Sequence, residues 1–91
     1  MKFTVTWLRH LELKLAHIWN TAPDRQAVTD AVDSIDKQLS LNANKLGRPV
    51  GDCLRVLTKP PIEVLFEVSV DDRLARVVAV NFIDPKAAER N

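Results

Sequence analysis

Ninety-one residues, 46% of them apolar and 27% charged, are the amounts of a folded domain with room for one core. That balance excludes a disordered chain, and no apolar run approaches the roughly 20 residues of a membrane-spanning helix. The net charge of +1 gives no argument for nucleic acid, and the single cysteine, Cys53, excludes a disulfide within the chain. The expected location is a reducing cytoplasm, since Met1–Val5 runs straight into a strand pattern without a secretory apolar region.

Residues 3–7 alternate, with Phe3, Val5 and Trp7 on one face, which predicts a half-buried strand. Leu8, Leu11, Leu15, Ile18 and Trp19 then recur at helical spacing, and the helix is predicted from Arg9 to Asn20. Pro23 fits the first turn of a second helix and Asp24 its positive end. Val28, Ala31, Val32, Ile35 and Leu39 give that helix its apolar stripe, while Asp30, Asp33, Asp36 and Lys37 lie outside it. Two such helices and a short turn make an antiparallel hairpin.

Periodicity is lost over 40–53, where Asn42, Asn44, Gly47, Pro49 and Gly51 predict a loop, with one helical turn near Ala43–Leu46. Three strands follow. The first is Leu54–Thr58, ended by Lys59-Pro60-Pro61. The second is Ile62–Val70, with Ile62, Val64, Phe66, Val68 and Val70 on one face and Glu63, Glu67 and Ser69 on the other. After an Asp71-Asp72-Arg73 turn comes the third, Leu74–Ile83, with Leu74, Val78, Val80 and Phe82 expected on the buried face. The order is β-α-α-β-β-β, an α+β domain whose helix hairpin covers a small, mostly antiparallel four-stranded sheet. One domain is expected over 1–84, followed by a tail at 85–91.

Charge is distributed in blocks. Lys45, Arg48, Arg55 and Lys59 against Asp52 give residues 41–61 a local +3, between segments of −2 at 21–40 and 62–83. A basic middle favours an anionic ligand or an acidic partner there.

That order and spacing resemble the RelE/ParE superfamily of toxins from bacterial type II toxin–antitoxin, or plasmid-stabilisation, systems. Phe3-Thr4-Val5-Thr6-Trp7 with its Leu-rich helix is similar to the family's first strand and helix. Asp24-Arg25-Gln26-Ala27-Val28 with Ile35-Asp36 and Leu39 resembles its second helix. Gly47-Arg48 and Leu54-Arg55-Val56-Leu57 resemble the loop and strand that lead into the site. Val64-Leu65-Phe66-Glu67-Val68 with Asp71-Asp72-Arg73 resembles the central hairpin, and Arg76-Val77-Val78-Ala79-Val80 the last strand. The likeness spans about residues 3–83, and its specificity lies in order and spacing rather than in any one piece.

The resemblance implies a growth-inhibiting toxin neutralised by a cognate antitoxin whose disordered segment wraps it. RelE-like members cut messenger RNA on the ribosome, and ParE-like members poison DNA gyrase. Ribonuclease chemistry needs cations around the phosphate and a general acid and base. The sequence has no tyrosine, Phe82-Ile83 stands where many members place His-Arg, and Glu63 stands where many place an arginine. His10 and His17 lie in the first helix. Only Arg48, Arg55, Lys59 and Arg76 match basic positions, so they are the candidate target- or phosphate-binding residues. A binding action closer to the ParE type is expected. The RelE-like nuclease is the alternative, and a degenerate member that only binds antitoxin is the second alternative.

Blander roles compete for the same residues. Arg48 also fits a solvated loop, Arg55 an outward-facing strand position, and Arg76 a cross-strand partner for Glu67 or Glu63. The histidines are seven apart with no third ligand near, which predicts no metal, and nothing in the sequence calls for a cofactor. Cys53 beside Asp52 lacks a histidine and reads as a small semi-buried residue rather than a nucleophile. Trp7 and Trp19 are expected in the strand–helix core, with Trp19 reaching a partner if it lies at the helix edge.

Overall fold

β1 (Thr4–Trp7) leads through Leu8 into α1 (Arg9–Thr21). The computed structural model describes residues 2–83, and the expected tail at 85–91 lies outside the described residues. Asp24 caps α2 (Arg25–Asn42), its carboxylate accepting from the Ala27 N–H at 3.0 Å. That bond satisfies one of the free donors of the first turn. Pro23 therefore stands outside the helix rather than in its first turn as the sequence suggests. A 3-10 turn, Ala43–Lys45, continues from α2 where a single helical turn was expected.

β2 (Arg48–Pro49) lies in the expected loop, followed by β3 (Leu54–Lys59), β4 (Ile62–Ser69) and β5 (Leu74–Phe82). The sheet has five strands in the order β1-β5-β4-β3-β2, one more than the four expected. β2 is missed because two residues, one of them proline, carry no alternation to read. β1 runs parallel to β5, and the other pairs are antiparallel.

The helices cover one face of this sheet. Leu11, Ile18, Val28, Ala31, Ile35 and Leu39 meet Phe3, Leu57, Ile62, Val64, Phe66, Ala75, Val77 and Val80 in one core. Each such aliphatic or aromatic side chain contributes about 1.5–3 kcal/mol when fully withdrawn from water. Both indoles tie down α2: Trp7 Nε1 donates to Asp36 at 3.2 Å, and Trp19 Nε1 donates to Thr29 Oγ1 at 3.2 Å. Trp19 is nevertheless 42% exposed, so it lies at the helix edge and not in the core. The Arg25 guanidinium stacks over its ring, 4.9 Å from the centroid.

The buried face of β5 differs from its expected one. Leu65 faces Ala79 while Phe66 faces Val77, which leaves Val78 as an extra residue in β5. This bulge moves the inward side chains from odd positions before it to even positions after it. Ala75 and Val77 are buried instead of Leu74 and Val78, Val80 stays buried, and Phe82 is 40% exposed. On β4 the expected face holds through Phe66, Val68 is half-buried, and Val70 is 47% exposed beyond the strand end.

Candidate functional site

Directly paired residues of neighbouring strands share a face. Leu57 and Val64, paired and buried, mark the helix-covered one. Arg55 pairs with Phe66 and Lys59 with Ile62, so both belong to that face. Arg48 pairs with Val56, and Arg76 pairs with Glu67, which also faces Leu54; these belong to the open face. The four basic candidates are thus divided between the two sides of the sheet.

On the open face, Arg48 lies on β2 and Arg76 three strands away on β5. At about 4.8 Å per strand their backbones are roughly 15 Å apart. A single phosphate is too small to take both. Arg76 is exposed and directly opposite the carboxylate of Glu67, and Thr58 Oγ1 donates to Glu63 at 3.1 Å on the same face. Between the two arginines lie the half-buried Leu54, Val56, Leu65 and Ala79. The open face is an apolar patch ringed by charges of both signs.

Arg55 is not the outward-facing strand residue expected, since its partner Phe66 is buried and its guanidinium turns to the loop before β2. Its Nε donates to the Leu46 carbonyl at 2.6 Å and its terminal nitrogen to the Gly47 carbonyl at 3.2 Å. It fastens the loop that leads into β2. Gly47 is needed in that loop, since its φ is +65° and an added Cβ would run into the Val56 carbonyl. Lys59 is half-buried beside the turn at Pro60 and Pro61.

A cavity of about 400 Å³ opens near this loop, lined by Asn44, Asp52, Cys53, Arg55, Ser69 and Asp71 among others. Sequence reading missed it, because its walls come from separate turns. Asp52 and Asp71 face it while two nitrogens of Arg55 are held by carbonyls, so its chemistry does not favour a phosphate. Cys53 is free and exposed rather than semi-buried as expected, because it lies in the turn before β3 and not in a strand. Among the described residues no group of three His, Cys, Asp or Glu side chains is placed to hold a metal. His10 and His17 are exposed on α1, on the helix side of the sheet. No imidazole therefore belongs to the open face.

A second hollow, about 260 Å³, runs between the helices and is lined by Leu15, Ala16, Trp19, Val28, Val32 and Asp33. It is the exposed helix groove on this side of the molecule. Among the described residues no helix is long and apolar enough to cross a membrane.

No protein-family model matches the chain. Its fold is RelE/ParE-like, shared with solved toxin–antitoxin complexes. A chain of the RelBE2 toxin–antitoxin complex from Mycobacterium tuberculosis superposes with a TM-score of 0.72 at 12% identity, covering 90% of this chain and 99% of that one. A chain of the chromosomal ParDE system from P. aeruginosa gives a TM-score of 0.64 at 20% identity, covering 91% and 98%. Phosphoglucosamine mutases from two strains of Lactobacillus delbrueckii subsp. bulgaricus are 38% identical over 61 residues, 65% of this chain. The chain spans 13% of the length of those curated relatives.

Proposed function

We propose that this chain, built on a RelE/ParE-like fold, is the toxin of a bacterial type II toxin–antitoxin module. The observation that carries the reading is the near-complete overlap with chains of two such complexes, 99% and 98% of their lengths. It acts in the cytoplasm, stops growth by binding an essential target, and is neutralised by a cognate antitoxin with which it assembles. The groove between α1 and α2 is where the antitoxin packs.

Binding, not strand cleavage, is the preferred action, with DNA gyrase the preferred target. Arg48 and Arg76 would contact it from the open face, with Arg55 and Lys59 reaching it from the flank. Cleavage of RNA would need cations and an acid–base pair around one phosphate. Here the cations divide between two faces, Arg76 faces Glu67, and both histidines are on α1. The second reading, a RelE-like ribosome-dependent ribonuclease, rests on one of the two overlapping folds being a chain of a RelBE2 complex.

The test is tightly induced expression in a bacterial host, with and without the neighbouring small gene. Arrest relieved by the neighbour is expected, with double-strand breaks in the DNA. Cleaved transcripts without breaks would move the assignment to the ribonuclease. Normal growth with soluble protein would overturn the toxin reading and leave an antitoxin-binding module.

A further inference from the structure

The two edges of the sheet are built differently. β2 closes one edge with two residues, a charge and a proline, features that discourage further pairing. β1 closes the other with four residues, Thr-Val-Thr-Trp, and has no charge, proline or bulge. Thr4 N–H donates to the Arg73 carbonyl at 2.8 Å and Leu8 N–H to the Val77 carbonyl at 3.1 Å, so even-numbered residues of β1 bond inward to β5. The N–H and C=O of Val5 and Trp7 point outward and find no partner among the described residues.

We infer that β1 pairs with β1 of a second copy of this chain, antiparallel about a two-fold axis at Thr6. Outward residues must oppose outward residues, which restricts the register. With Thr6 on the axis, Val5 faces Trp7 of the second copy twice over. Each such pair exchanges two backbone bonds, so all four outward N–H groups of the two strands are used. Sliding one way places Trp7 against Phe3, whose N–H is already given to the Ser40 carbonyl at 2.7 Å. Sliding the other way places Val5 against Arg9, the first residue of α1. Only the Thr6-centred register forms the full set.

Side chains agree with that register. Val5 and Trp7 make a β-branched–aromatic pair on the helix side, and the two exposed Thr6 side chains face each other on the open side. No like charges meet at the axis. Four residues bury less than the roughly 1,200 Å² of a standard interface, so the dimer is weak and depends on concentration. This inference is independent of the toxin reading.

Sedimentation of the full chain over a concentration series should show mass rising from monomer towards dimer. In a Cys53→Ser background, Thr6→Cys should form a disulfide-linked dimer under mild oxidant, since non-bonded antiparallel pairs have Cα atoms about 4.5 Å apart. Thr4→Cys, which faces Leu8 of the second copy, should not. Thr6→Lys should give monomer at every concentration with an unchanged circular dichroism spectrum, and mixing it with Thr6→Glu should restore the dimer. A wild-type monomer at all concentrations, equal cross-linking through Thr4→Cys, or a dimer that survives Thr6→Lys would overturn the inference. A monomer whose Val5 and Trp7 amides resist hydrogen exchange would overturn it in favour of another segment of the chain on this edge.

Discussion

Removing the Arg55 side chain leaves the carbonyls of Leu46 and Gly47 without their donor. Arg55→Ala should therefore lower stability by about 1–3 kcal/mol, read as a fall in melting temperature. Arg55→Lys should fail to restore it, because a point ammonium cannot span both carbonyls as the guanidinium fork does. An unchanged melting temperature with lost target binding would instead give Arg55 a purely functional role. Among the described residues Arg73 is the non-glycine residue with positive φ, at 51°, in the β4–β5 turn. Arg73→Gly should raise stability by about 1 kcal/mol by relieving that conformation, checked by urea titration.

Val78 decides the orientation of half of β5, and this is testable by a matched pair of truncations. Val77→Ala opens a cavity beneath Phe66 and should cost about 1–3 kcal/mol more than Leu74→Ala, the reverse of what simple alternation implies. Asp24→Ala should cost about 1 kcal/mol through loss of the α2 cap. Both are read by chemical denaturation. The elements themselves are legible because their signals are local: the apolar stripe of α2 is visible in the sequence, and so is the strand pattern of β4. The bulge is not, since it exists only as a mismatch between two strands. β2 is too short to show a period, and Arg76 shows its neighbour only once the register with Glu67 is known. The candidate site was legible as a list of cations but not as a surface, because a face is a property of pairing.

At the scale of the molecule, the helix groove and the open sheet face lie on opposite sides, so a partner in one does not fill the other. Ala16→Arg would place a long cation in the groove from an exposed position. On the proposed reading of the groove it should weaken binding of the cognate antitoxin at least tenfold while leaving the melting temperature within about 2 °C, measured by calorimetry and thermal melts. Equal affinity would remove the groove from the antitoxin interface. The parallel pairing of β1 with β5 has a further consequence for how the chain comes into being. Thr4 waits for Leu74, because β5 is the strand beside which β1 sits in the sheet. Such long-range closure is slow compared with helix formation. During synthesis the helix hairpin can form early, yet the sheet stays incomplete until β5 has left the ribosome. A chain cut short before residue 74 therefore lacks the strand that joins β1 to β4, and neither face of its sheet is finished.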